Sequence, residues 1–159
     1  MYQKILVPVD GSAPSARGLQ EAIKLAKLTG ARLRLVHVVD EISFAAGMEA
    51  ATMMTGEMLQ LLREAGEQVL KKARARVEKA GLQVDTVLCD SLAGRVCDHV
   101  VEQATKWRAG LIVLGTHGRR GMGRLLLGSD AETIVRIAPV PVLLVRMKDA
   151  AGPGDKPAT

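Results

Sequence analysis

Residues 4–30, KILVPVDGSAPSARGLQEAIKLAKLTG, carry the unit whose repetition decides the fold. Lys4-Ile-Leu-Val-Pro-Val9 is a short, continuously apolar run, and Ala13 to Leu28 then returns apolar residues at helical spacing through Ala16, Leu19, Ile23 and Ala26 until Gly30. A strand leads into a helix. The same succession recurs downstream. Leu33-Arg-Leu-Val-His-Val-Val39 begins as an alternation and becomes continuously apolar, as a strand covered on both faces does. From Glu57 to Ala80, a stripe of Met58, Leu61, Leu62, Ala65, Val69, Ala73 and Val77 lies opposite Lys and Arg, with Gly81 as the stop. Gln83-Val-Asp-Thr-Val-Leu88 alternates polar with apolar and reads as a half-exposed edge strand. A helix capped by Asp90 or Ser91 is expected next, ending near Lys106 with Val96, Val100 and Ala104 inward. The strand Leu111-Ile-Val-Leu114, a glycine-rich loop from Gly115 to Gly128, a short helix from Ser129 to about Ile137 and the strand Pro141-Val-Leu-Leu-Val145 complete the series.

Strands alternating with helices in this way predict an α/β fold: an open parallel sheet of five strands joined by right-handed crossovers, with helices on both faces. The ligand crevice of such a sheet opens at the carboxyl ends of the strands where their order reverses; if strands one and four are neighbours at that point, Asp10 and Gly115 face each other across it. Pro8 lacks a ladder donor, so pairing on one side of the first strand should stop near it. With 159 residues the chain suits one domain, over residues 1–148, with residues 149–159 as a disordered tail rich in Gly and Pro. The connection from Asp40 to Gly56, with Met48, Met53 and Met54, sits outside the pattern, and gap-filling methionines are the expected use.

Composition removes several functional classes. Hydrophobic residues make up 48% and charged residues 25%, values that exclude disorder of the whole chain. Tyr2, Phe44 and Trp107 are the only aromatics, too few for the stacking platforms that bind single-stranded nucleic acid. The net charge of +5 suits an anionic ligand. The run Ile5 to Val9 is too short for a signal segment and no apolar stretch is long enough to span a bilayer, so a membrane role is not expected and a reducing cytoplasm is the expected address. Cys89 and Cys97 have no C-x-x-C spacing, His37, His99 and His117 show no H-E-x-x-H arrangement, and no G-x-S-x-G elbow is present.

The chemistry therefore points to Gly115-Thr-His-Gly-Arg-Arg-Gly-Met-Gly-Arg-Leu-Leu-Leu-Gly-Ser129. Glycines let backbone N–H groups converge on an anion, Arg119, Arg120 and Arg124 add positive field, and the helix starting near Ser129 presents its free N–H groups to the same place. These are the parts of a phosphate cradle. It is not a Walker A loop, because Arg124 and Leu125 stand where Lys and Ser/Thr are required after Gly118 and Gly123. Nor does G-x-G-x-x-G fit, since Leu126 follows Gly121 and Gly123.

The spacing G-x2-G-x9-G-S at Gly115, Gly118, Gly128 and Ser129 occurs with Val7-Pro-Val-Asp-Gly-Ser12, His37-Val-Val-Asp40 and Ala138-Pro-Val-Pro-Val-Leu-Leu-Val145. This set, in this order from Lys4 to Arg146, resembles the universal stress protein family and its ATP-binding branch, which implies a Rossmann-like fold akin to the adenine nucleotide alpha hydrolases, with strand order 3-2-1-4-5. The resemblance implies an adenosine side lined by Pro8, Val9 and Asp10, with Asp10 accepting from a ribose hydroxyl and Val38 meeting adenine through its backbone. It implies that Leu114, Gly115, His117 and Gly118 wrap the sugar and phosphates, and that Gly128, Ser129, Asp130 and Ala131 offer N–H groups to the phosphates, which carry Mg²⁺ or Mn²⁺. Asp10 as a helix cap, Val38 as plain core and Ser129 as an N-cap are the structural alternatives. Two positions depart from the family pattern: Asp130 replaces an apolar or small residue, and Leu92 replaces a proline. A carboxylate suits a helix start, yet it repels a triphosphate unless a divalent cation intervenes.

The function expected from the resemblance is an ATP-binding regulatory protein with slow or no hydrolysis, assembled as a homodimer through the strand Val140 to Val145. The rival readings are a nucleotide-free interaction module and an enzyme acting at the α-phosphate of an adenine nucleotide. The sequence holds no P-loop lysine and no evident base for a water nucleophile.

Overall fold

A computed structural model describes residues 2–39, 56–90, 94–116 and 128–147. Within them lie β1 (Lys4–Pro8), α1 (Ala13–Thr29), β2 (Arg32–Val39), α2 (Gly56–Lys79), β3 (Val84–Asp90), α3 (Val96–Trp107), β4 (Leu111–Thr116), α4 (Ser129–Ile137) and β5 (Val142–Arg146). The strands pair in parallel in the order β3-β2-β1-β4-β5, the order expected, with β3 at an edge. Leu33, Leu35 and Val113 face α1 and α2 through Leu19, Ala22, Leu70 and Val77, whereas Leu6, Val36 and Ile112 face α3 and α4 through Cys97, Val100, Ala104 and Ile134. Central β1 is buried on both faces, which is why it reads as an unbroken apolar run.

Pro8 fits this centre because the ladder is asymmetric. β1 pairs with β4 only at Ile5↔Leu111 and Leu6↔Ile112, but with β2 as far as Pro8↔Val36. The Lys4 carbonyl accepts from Gly110 N on the β4 side, and even-numbered β1 residues share that direction. The N–H that Pro8 lacks would therefore face β4 beyond the last rung, where nothing needs it. Val9 N, on the other side, still donates to the Val36 carbonyl at 2.8 Å.

Two helical expectations require correction. Leu61 and Ala65 of α2 are exposed, and the buried stripe is Gly66, Leu70, Ala73 and Val77. The face turns because a Cβ on Gly66 would stand 2.6 Å from His37 Cδ2: the helix sets its glycine over the imidazole, and an apolar count overlooks a glycine. The helix α3 begins at Val96 with Arg95 as N-cap, and Arg95 N donates to the Asp98 carboxylate at 3.3 Å. Asp90 instead closes β3 and pairs with Arg63 at 2.6 Å; Ser91 and Leu92 lie outside the described residues. Its inward face starts at Cys97, 1% exposed, whereas Val96 is half-buried.

At the amino ends of the strands, Lys4 Nζ donates to the Trp107 carbonyl at 3.0 Å, and Lys4 and Arg34 stand over the indole at 5.5 and 4.7 Å from its centroid. Arg34 also bonds Asp85 in two places, at 2.8 and 3.0 Å, so one cluster ties the end of α3 to β1, β2 and β3. No helix among the described residues is long and apolar enough to cross a membrane. The connection over residues 40–55, with Met48, Met53 and Met54, and the tail over residues 149–159 lie outside the described residues.

Candidate functional site

The early end of the β1–β4 ladder opens the sheet at its carboxyl end, and a cavity of about 360 Å³ lies there. Pro8, Val9 and Asp10 line it from β1, Val36, His37 and Val38 from β2, and Leu114, Gly115 and Thr116 from β4. Val96 and Val100 of α3, with Gly128, Ser129, Asp130, Ala131 and Ile134 around α4, close it on one face. Ten of the twelve residues expected at the site thus share one crevice. The other two, His117 and Gly118, lie outside the described residues, as do Arg119, Arg120 and Arg124.

Strand alternation aims backbone groups into the opening. The Val36 carbonyl turns toward β1, so two residues on the N–H and carbonyl of Val38 turn the same way, past the last β1 residue in the ladder. Val38 is half-buried and its side chain packs with the α3 face, so a core side chain and a free backbone edge coexist in one residue. On β4, Ile112 N donates toward β5 and the Thr116 carbonyl accepts from Met147 N on the same side, so the backbone of Gly115 turns the other way, toward the gap. Gly115 has a second duty: a Cβ there would lie 1.8 Å from the Pro14 carbonyl oxygen, so its bare backbone is what seats the first turn of α1 against β4.

The turn from β1 to α1 is fastened by hydroxyls. Ser12 is the N-cap, its Oγ accepting from Ser15 N at 3.3 Å, and Ser15 Oγ accepts from Asp10 N at 3.2 Å. Asp10 is therefore not the cap; its Oδ1 accepts from Ser12 N at 2.8 Å. Its second oxygen takes no hydrogen bond among the described residues, and the side chain is exposed at the crevice mouth. His37 Nδ1 lies 2.7 Å from the Val9 carbonyl and must be the donor, because a carbonyl only accepts. Ser12, Ser15 and His37 were not among the expected site residues. The signals available were a polar ring inside an apolar strand and a hydroxyl three residues before another.

At the other end, Gly128 is the N-cap of α4 and offers no side-chain acceptor, so Ser129 is the first helical residue and not the cap. The Glu132 N–H already bonds the Gly128 carbonyl at 3.0 Å, whereas those of Ser129, Asp130 and Ala131 come before any intrahelical acceptor. With the positive end of the helix dipole, these donors suit an anion. Asp130, half-buried, shares that turn. The Arg95 guanidinium is held above its ordinary range chiefly by its hydrogen bonds to Asp98, with Asp130 adding a smaller pull, and Arg95 in turn holds Asp98 below the usual carboxylate range. Burial first, and Asp98 next, push the Cys97 thiol up; burial and Glu102 do the same for Cys89. Both thiols stay protonated near neutrality, which suits packing and not nucleophilic attack.

Residues 1–146 match the profile of the Universal stress protein family. A universal stress protein of Methanocaldococcus jannaschii is 38% identical over 147 residues, covering 92% of this chain and 83% of that one. Among solved structures, a universal stress protein family member from Burkholderia pseudomallei superposes with a TM-score of 0.73 at 30% identity, covering 91% of this chain and 96% of its own. A universal stress protein from Archaeoglobus fulgidus, solved in complex with dAMP, shares the fold with a TM-score of 0.64 at 22% identity over 90% of this chain and 97% of its own.

Proposed function

The chain belongs to the universal stress protein family, and from that premise we propose that it is a cytoplasmic ATP-binding regulatory protein whose crevice takes the nucleotide with adenine at the free backbone edge of Val38, ribose at Asp10 and phosphates over the start of α4. The observation that carries this reading is the convergence, in one cavity, of unpaired backbone groups from the split sheet and the uncapped N-terminus of α4. A relative solved with dAMP supports an adenine nucleotide as the ligand class. The described residues hold no group of three or more carboxylates, thiols or imidazoles able to bind a metal alone. A divalent cation carried by phosphates needs only one or two carboxylates, and Asp10 at the crevice mouth, whose second oxygen takes no hydrogen bond among the described residues, fits that demand. The bound ion would lower phosphate charge; the chain itself orients the nucleotide through backbone groups. Turnover in this reading is slow or absent, and occupancy biases a partner surface.

Mg-ATP is expected to raise stability by about 2.7 kcal/mol at a hundredfold excess over Kd, which for a chain of this length is roughly 5–11 °C in melting temperature. No shift at millimolar ATP overturns the nucleotide reading. Accumulation of ADP or AMP during prolonged incubation would replace the regulatory reading with an enzymatic one.

The assembly proposed is a homodimer through β5. Ile112 N donates to the Pro141 carbonyl and Met147 N to the Thr116 carbonyl, so odd-numbered residues of β5 serve β4 and the backbones of Val142 and Leu144 face the open edge. Leu143, within β5, is 38% exposed, and Val135 and Ile137 of α4, the helix that leads into it, are 44% and 45% exposed. Pairing with the same strand of a second copy about a two-fold axis satisfies that edge. Sedimentation at tens of micromolar should give a dimer for the native chain and a monomer for Val142→Pro, which removes an outward donor, and for Leu143→Lys. A native monomer, or variants that dimerise unchanged, would exclude this interface.

A further inference from the structure

Among the described residues, the charges that line the crevice are of the wrong sign for a bare polyphosphate. Among the described residues that line it, the formally charged side chains are Asp10 and Asp130, and no Lys or Arg joins them. Arg95 feels the Asp130 charge, yet its guanidinium is committed to Asp98 by bonds of 3.1 and 3.2 Å and stands on the exposed rim. The first turn of α4 therefore carries two opposed signals: free N–H groups and the positive end of a dipole that attract an anion, and a half-buried carboxylate that opposes each added negative charge. The hydrogen-bonding donors favour one phosphate at close range. The carboxylate penalises a chain of them.

We propose that Asp130 is a specificity-determining charge filter, so that this crevice takes an adenine polyphosphate only as its divalent-cation complex, whereas AMP enters with or without metal. The inference rests on the nucleotide reading above and adds to it a condition on the ligand's charge. A cation on the phosphates cancels the charge that Asp130 opposes, and in its absence the repulsion acts across a partly desolvated gap, where it is screened less than in bulk water. The mundane use of an aspartate at this position is to stabilise the start of α4, and that use has no bearing on metal or phosphate number.

Calorimetric titration of ATP and of AMP into the native chain and into Asp130→Asn, each in excess Mg²⁺ and in EDTA, separates these roles. In the native chain, ATP is expected to lose about tenfold or more in affinity when Mg²⁺ is removed, and AMP less than about threefold. Asp130→Asn should tighten metal-free ATP until the two conditions agree within about threefold, with Mg-ATP and AMP little changed. A Mg²⁺-to-EDTA ratio for ATP that is the same in both proteins overturns the proposal and leaves Asp130 as a helix-start residue, which a fall in ligand-free melting temperature alone would register. Loss of Mg-ATP affinity in Asp130→Asn also overturns it, because the carboxylate would then be holding the metal. If AMP and ATP bind neither protein under any condition, the nucleotide reading fails and this inference falls with it; if AMP binds and the ratios are equal, only the charge filter fails.

Discussion

Gly115→Ala is expected to cost about 3 kcal/mol of folding stability, a fall of roughly 6–12 °C in melting temperature for a domain of this size. The added Cβ would stand 1.8 Å from the Pro14 carbonyl oxygen, 2.3 Å from its carbon and 2.9 Å from Ser15 N. These are backbone atoms in the first turn of α1, and they cannot rotate aside. Ser12 Oγ holds Ser15 N, and Ser15 Oγ holds Asp10 N, so the turn is pinned to the end of β1. Relief requires lifting the helix from the sheet. The contact is reciprocal, since a Cβ on Gly18 would meet Gly115 N at 2.7 Å, and Gly18→Ala should therefore give a smaller loss of the same kind. Because Pro14 and Ser15 line the crevice, Gly115→Ala should also weaken ligand binding. Thermal and denaturant unfolding of the three proteins test this, and a Gly115→Ala chain as stable as its parent would mean that α1 does not bear on β4 here.

Gly128→Val should have the opposite profile. Nothing lies within 4 Å of a Cβ at Gly128, and its φ of −57° with ψ of 149° is open to any residue, so the ligand-free protein should lose no more than about 1 kcal/mol, the cost of a poor N-cap. The branched side chain would instead fill space before the free N–H groups of α4. The whole ligand-induced stabilisation, about 2.7 kcal/mol at a hundredfold excess, should vanish. If Gly128→Val still responds to Mg-ATP like its parent, the phosphates sit elsewhere. Two glycines of one sequence motif thus separate by experiment: one serves packing and the backbone edge, the other only the ligand.

Most of the sheet was legible because strands buried on both faces, β1 and β4, are written as apolar runs, and β2 passes from alternation to an apolar end as its burial deepens. Pro8 marks the place where the sheet divides, which is information about the crevice carried by a missing donor. What periodicity could not supply was tertiary. The face of α2 is set by Gly66 meeting an imidazole from β2, and no count along one helix contains the other strand. The start of α3 was misplaced because Asp90 is occupied by Arg63, 27 residues away, leaving Arg95 and Asp98 to make the first turn between them. Expected site residues from strand ends and the start of α4 line one cavity; His37 and the two serines did not stand out, because their roles are hydrogen bonds to backbone groups that sequence does not display.

The cation-flanked indole at the far end of the sheet has a practical use. Trp107 is the chain's one tryptophan, so its fluorescence has a single source. The residue is 8% exposed and its ring sits at the amino ends of the strands, with Lys4 and Arg34 above it, whereas the crevice opens at the carboxyl ends. Its emission therefore follows the integrity of the sheet and ignores what occupies the cavity. Melting scans of the native, Gly115→Ala and Gly128→Val chains can be read in that optical channel without a dye, and a nucleotide then enters the signal only by moving the temperature at which the sheet comes apart.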